Sequence, residues 1–293
     1  MPYHSVGEIL AHPRFPAVRS AYVDAVLKLY EGDTFLTRLV LEAARTIIFA
    51  IVISLDAQYD ESDRATWPTV SLLKARMTQF GLASPRRIED LVARLIHTGF
   101  LVSKPAQQDG RVRLLSPTDR MLDADQGWLA AHYLPLDLMF PDPGYPEPMR
   151  NDRSFQRAQR LLAIQFLGHG AQIMAGNPAM LMFLTRDAGV TILMKLIQIA
   201  VRDRQNSETG PSEFSHDAIG ALFGVSRTHV RKILQDAAAQ GLMTLSGRGR
   251  RFFEIKPAMW QAFDRFVAES MSGHDLMFKI AMRQMKMVGG TPK

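Results

Sequence analysis

The chain has no cysteine. This excludes disulfides, thiolate zinc sites and a cysteine nucleophile, and it fits a reducing compartment. It also lacks a long hydrophobic run. The greasiest segment, Thr46–Leu55, is bracketed by Arg45 and Asp56, which leaves it about half the length of a membrane span. A buried helix is the reading it supports. Met1–Ser20 has no apolar core behind a basic start, so no secretory signal is expected. The eight histidines show no metal-binding spacing such as His-x-x-x-His. Phosphate-binding glycine loops, nucleophile elbows and kinase signatures are missing as well. These gaps lead us to expect no metal, no cofactor, no membrane partner and no enzymatic activity, in a cytoplasmic protein. No motif identifies a small-molecule effector.

What the sequence does contain is a globular composition and an uneven charge. Its 293 residues are 47% hydrophobic, enough for about two packed domains. Residues 1–150 hold 16 Lys/Arg and 18 Asp/Glu, a net of −2, whereas residues 151–293 hold 19 and 11, a net of +8. A polyanionic partner is expected to meet the second half first.

The sequence also repeats itself. FLTR occurs at Phe35–Arg38 and Phe183–Arg186, each time opening a long apolar stretch with helical character. Phe80-Gly81-Leu82-Ala83-Ser84 resembles Phe223-Gly224-Val225-Ser226. Fifteen residues separate each serine from a glycine, Gly99 or Gly241, and strand-like segments and a proline follow, Pro117 or Pro257. DLMF closes both copies, at Asp137–Phe140 and Asp275–Phe278. The offset falls from 148 at FLTR to 142 at the serine, 140 at the proline and 138 at DLMF, so the second copy has shorter connections. Two identical tetrapeptides in one order, with matched landmarks between them, read as a tandem duplication. Pro141–Pro148 carries four prolines and a glycine and cannot continue a helix. The expected division is therefore a first unit over 1–140, a Pro-rich linker over 141–150 and a second unit over 151–293.

The second unit is the more readable. Ser215 is placed to cap a helix whose stripe is Ala218, Ile219, Leu222 and Phe223. Gly224 supplies the left-handed turn that stops it. Ser226 caps the next helix, which buries Val230, Ile233, Leu234 and Ala237 and turns Arg227, Thr228, Arg231 and Lys232 outward. His229 lies on the same helix, either against DNA or in solvent. Two short helices joined by a glycine turn, the second capped and basic at its start, form a helix-turn-helix signature. Arg227 is then placed to donate two hydrogen bonds to a guanine edge in the major groove. Two strand-like runs, Leu242–Leu245 and Phe252–Ile255, flank Ser246–Arg251, where Arg248, Arg250 and Arg251 crowd a glycine-rich tip. Such a wing suits a phosphate backbone or a minor groove.

The run Ser226-Arg227-Thr228-His229-Val230-Arg231-Lys232-Ile233-Leu234 resembles the helix-turn-helix of the catabolite-activator/fumarate-nitrate regulator family. The resemblance covers about 45 residues. It implies base-facing roles for Arg227, Thr228 and Lys232. Thr228 departs from that family's usual glutamate, so the base preference is not carried over. No cyclic-nucleotide-binding β-roll precedes the motif, because the region before Arg186 reads as helical. Long helices around each winged unit are similar to the layout of MarR-type regulators.

The first unit follows the same plan with altered chemistry. Val70, Leu72, Leu73 and Met77 mark its bracing helix, and Ser84-Pro85 starts the next, whose buried face is Ile88, Leu91, Val92 and Leu95. Its wing reads Phe100–Lys104, a loop to Gly110, then Arg111–Leu115. Aligned on the serines, Pro85 replaces Arg227, while Glu89 and Asp90 replace Arg231 and Lys232. Arg86, Arg87 and Arg94 partly compensate, and Lys104, Arg111 and Arg113 line the wing. This unit reads either as a second DNA contact or as a scaffold. A break is expected at Gly168-His169-Gly170, and Arg153–Gly168 reads as a helix that packs between units or chains.

The fold expected is thus mainly α: two tandem winged helix-turn-helix units with long flanking helices and short β-hairpin wings. The function expected is sequence-specific binding of double-stranded DNA by a bacterial-type transcriptional regulator, as a homodimer or an intrachain pseudo-dimer. The alternatives are a plasmid-type replication initiator and a winged-helix scaffold for protein contacts in chromosome maintenance.

Overall fold

The computed structural model describes residues 2–30, 43–78, 84–206 and 210–289, with side chains except at 43–46, 164–174 and 288–289. The first FLTR and Phe80–Ala83 lie outside the described residues. Helices make up 69% of the structure, about twice the share in an average globular protein. The strands form only two small antiparallel sheets among the described residues.

The first half opens with α1 (Val6–Ala11) and α2 (Phe15–Lys28). Ser5 and Glu8 start α1 with a reciprocal capping box. Then come α3 (Ala43–Gln58), α4 (Val70–Thr78), α5 (Pro85–His97), the hairpin β1 (Leu101–Pro105) and β2 (Arg113–Pro117), and α6 (Asp119–Met139). The second half runs through α7 (Pro146–Met149), α8 (Arg153–Ala175), α9 (Pro178–Leu184), α10 (Gly189–Gln205), β3 (Ser212–Glu213), α11 (His216–Phe223), α12 (Arg227–Ala239), β4 (Met243–Ser246), β5 (Phe252–Ile255) and α13 (Pro257–Gly289).

Each half contains a short helix, a capped longer helix and a hairpin. Pro105 pairs with Arg113 and Leu101 with Pro117 in the first hairpin; Ser246 pairs with Phe252 and Met243 with Ile255 in the second. The second sheet gains a third strand, because Ser212 and Glu213 pair with Phe253 and Phe252. The strand order is β3-β5-β4. That extra strand was not expected. Two polar residues between a helix end and a cap carry no alternating pattern to announce a strand.

The long helices are exchanged between the halves. Helix α3 of the first half lies along α8 of the second, while α10 of the second lies along α2 of the first. Closing helices α6 and α13 touch each other. Thr46–Leu55, expected to be a buried helix, lies within α3, where Ile48, Ile51, Val52 and Leu55 are buried. The larger core combines Tyr22, Leu27 and Tyr133 with Phe155, Leu193, Ile233 and Phe263. A smaller core gathers Ile48, Leu55, Leu73, Ile88, Phe100 and Met121. At the exchange, Ser54 Oγ donates to the Arg160 carbonyl and the Arg157 guanidinium to that of Ala57. Gln198 Nε2 donates to Asp24 Oδ1 at 2.7 Å.

Two further expectations need adjustment. The helix α8 runs unbroken through Gly168–Gly170. Its packing along α3 and α13 outweighs the roughly 1 kcal/mol that each helical glycine costs relative to alanine. Pro141–Pro148 does end α6, yet it packs against the core. Tyr145 is buried, with its backbone N–H on Asp137 Oδ1 and its hydroxyl on Asp275 Oδ1, each at 2.8 Å. The aspartates of the two DLMF copies thus hold opposite ends of one tyrosine. Burial and the Asp275 carboxylate raise the Tyr145 phenol well above its ordinary range, which keeps the hydroxyl a donor. Among the described residues no helix is long and apolar enough to cross a membrane.

Candidate nucleic-acid interface

Helix α12 owes its position to its caps and to its buried stripe. The Ser226 side chain accepts from the His229 amide at 3.1 Å, and Ser215 accepts from the Ala218 amide at 3.2 Å. Gly224 closes α11 in the left-handed region, at φ 67°. Val230, Ile233, Leu234 and Ala237 are all buried, so α12 cannot rotate without exposing apolar surface. Arg227, Thr228, Arg231 and Lys232 are exposed. The hairpin strand β4 packs on the same helix. Arg248 and Arg250 lie in the tight turn at the hairpin tip, where Gly247 and Gly249 adopt φ 76° and 75°.

The acidic partners of these cations were missed by sequence reasoning. Arg227 lies 3.3 Å from Asp217 on α11, and both are well exposed. Arg251 lies 3.3 Å from Glu213 across the unexpected strand and also covers the Phe252 ring. Lys232 lies 3.7 Å from Asp236. Exposed pairs of this kind contribute about 0–1 kcal/mol, so a phosphate or a base edge can displace them. His229 is half-buried, with Nε2 2.8 Å from the Asp187 carbonyl; it faces its own fold. Asp217 precedes Arg227 by ten residues on another helix, which no helical spacing rule connects.

Charge at the start of α12 is felt by a buried neighbour. His216, on α11, is 6% exposed. Burial first, then the Arg227 guanidinium, holds its imidazole below the ordinary value; Asp217 opposes this shift and Arg231 adds to it.

In the first half, α5 begins at Ser84, whose side chain accepts from the Arg87 amide at 3.3 Å, with Pro85 in its first turn. Ile88, Leu91, Val92 and Leu95 are buried. Arg86, Arg87, Glu89 and Asp90 are exposed, and Lys74 on α4 holds Glu89 at 2.6 Å. Lys104, Arg111 and Arg113 are exposed on the hairpin, but Arg113 donates to the Ser103 carbonyl and Oγ on the facing strand. The structure therefore gathers the basic residues into two sets, one on each helix–helix–hairpin unit. The second-half set is free of carboxylates on the exposed first turns of its helix; the first-half set is not.

Among the described residues no group of three or more His, Asp or Glu is placed to hold a metal ion. In comparisons with family models, curated proteins and solved structures, the chain finds no match.

Proposed function

We propose that the chain binds double-stranded DNA sequence-specifically through two winged helix-turn-helix units that arose by duplication, and that it acts as a transcriptional regulator. The observation that carries this reading is α12: a capped helix start with Arg227, Thr228, Arg231 and Lys232 exposed beside an arginine-tipped hairpin. A helix presented this way fits the major groove, its N-terminal dipole favours phosphate, and the hairpin tip follows the backbone. Duplication is supported by matched detail. Ser84 and Ser226 cap corresponding helices, and Gly99 and Gly241 end them at φ 75° and 71°. The reciprocal exchange of long helices supports an intrachain pseudo-dimer, which offers two reading helices from one chain. The helix α12 then takes the stronger half-site, and α5, with Glu89 and Asp90 outward, a weaker one or none.

Selection from random duplexes tests the reading. The expected result is one enriched site, bound by Arg227→Ala about 1–3 kcal/mol more weakly and with relaxed preference at one base pair. Absence of enrichment refutes it.

A further inference from the structure

The turn between α9 and α10 is built more tightly than a connection between two helices requires. Ala188 is buried in the left-handed region, at φ 55° and ψ 11°. A side chain on Gly189 would place its Cβ 2.1 Å from the Phe183 carbonyl oxygen, so only glycine fits. The turn offers two groups to α12. The Asp187 carbonyl oxygen lies 2.8 Å from His229 Nε2, and Arg186 Nη1 lies 2.6 Å from Asp236 Oδ2. Both members of the Arg186–Asp236 pair are about 30% exposed, more sheltered than the Arg227–Asp217 pair. His229 and Asp236 are seven residues apart, about two helical turns, and so share one side of α12. Arg227 and Arg231 fall about half a turn away from that side, whereas Lys232 is one turn from Asp236 and shares its carboxylate at 3.7 Å, so Arg186→Ala is the variant that breaks the clamp without freeing Lys232.

We propose that this turn is a clamp that sets the pitch of α12, with Arg186 and Asp236 as positioning residues for base reading. The inference rests on the DNA-binding reading above. The buried stripe fixes the rotation of α12 about its axis, but a stripe of four apolar residues allows rocking along the groove. Attachments at the first and third turns remove that freedom. They tie α12 to α10, and through α10 to α2 of the other half. The reading helix is thus referenced to the junction between halves. The sequence of the first half does not repeat the Arg186–Asp236 ion pair. Aligned on the capping serines, Arg87 and Arg94 stand at the His229 and Asp236 positions, and the first FLTR again supplies an arginine, Arg38. Arg38 and Arg94 carry like charge and cannot form that ion pair.

The test uses Arg186→Ala, Asp236→Ala and the charge swap Arg186→Glu/Asp236→Arg in the full chain. Binding to the selected site and to unrelated DNA is titrated across salt, and hydrogen exchange is followed at 229–236 without DNA. The expected result is a roughly 5–10-fold loss of specific affinity in each alanine variant, with an unchanged salt slope and unchanged affinity for unrelated DNA. Amide protection at 229–236 should fall in both and recover, with affinity, in the swap. If Arg186 instead touches a phosphate, Arg186→Ala flattens the salt slope by about 0.9, Asp236→Ala tightens binding, and the swap rescues nothing; that overturns the proposal. Unchanged affinity and protection in both alanine variants overturn it too. A wild-type chain that selects no sequence refutes the DNA reading, and hydrogen exchange then decides separately whether the clamp holds α12.

Discussion

Gly220 sits where α11 meets the start of α12, and a Cβ there would lie 2.7 Å from the Val225 carbonyl oxygen. That oxygen belongs to the backbone of the corner and cannot rotate away. Gly220→Ala is therefore expected to destabilise the fold by about 1–3 kcal/mol, as overpacking does. Gly273 has the opposite surroundings: it lies inside α13 with nothing within 4 Å of its would-be Cβ. Gly273→Ala should stabilise by about 0.5–1 kcal/mol, because alanine suits a helix interior better. Urea unfolding of both variants checks the two signs together; a stabilised Gly220→Ala would mean that the corner yields to the extra methyl group. Residue-level reading from sequence succeeded where chemistry is local. Ser84, Ser215 and Ser226 all cap the helices assigned to them. It missed Glu213, Asp217 and Asp187, whose partners lie on other elements.

Among elements, the second hairpin is the sharpest case of a residue set whose members differ. Arg248, Arg250 and Arg251 look equivalent in the sequence. In the structure Arg251 is held by Glu213 and the Phe252 ring, whereas Arg248 and Arg250 occupy the tip. On the proposed DNA-binding reading, replacing all three by alanine should lower affinity for all DNA sequences about equally. It should also flatten the log-affinity against log-salt slope by about 0.9 for each phosphate left without its arginine. Arg248→Ala/Arg250→Ala should account for most of that change and Arg251→Ala for little. Fluorescence anisotropy across a salt series measures this, and an unchanged slope in the triple variant would place the tip away from DNA. The hairpins and short helices were legible because their strands, glycines and caps form local patterns. Continuity of α8 through Gly168–Gly170 was not, since propensity argues against it and only packing along α3 and α13 favours it.

At the scale of the whole molecule, the repeated motifs were visible in the sequence but the exchange of long helices between the two halves was not. Apolar helices announce that they will be buried without naming the partner. The exchange brings α6, α8 and α13 together in a shared seam, and a cluster of buried polar side chains lies within its apolar core. Asp125 and Arg160 form a buried pair at 2.6 Å, with Gln156 Nε2 on the same carboxylate at 2.8 Å and the guanidinium over Trp128. Stacked beside it are His132 and His274, with ring centroids 5.3 Å apart. Burial lowers both imidazoles, His132 well below its ordinary value and His274 to about 4. In the unfolded chain each titrates near 6.5. Between those values the unfolded state binds more protons than the folded state, so stability must rise with pH. The contribution is complete above about pH 6.5 and is lost as pH falls toward 4; for His274 alone it is on the order of 3 kcal/mol. The lowered carboxylates Glu8, Asp60 and Glu254 act in a lower window, below their ordinary values, so the decline between pH 6.5 and 5 comes from the lowered histidines, the seam pair together with His216 on α11. Urea unfolding at pH 7, 6 and 5 should show a steep decline in the wild type. In His132→Gln/His274→Gln, whatever its stability at pH 7, the decline should be shallow. Parallel curves for the two proteins would show that the seam does not carry the acid sensitivity.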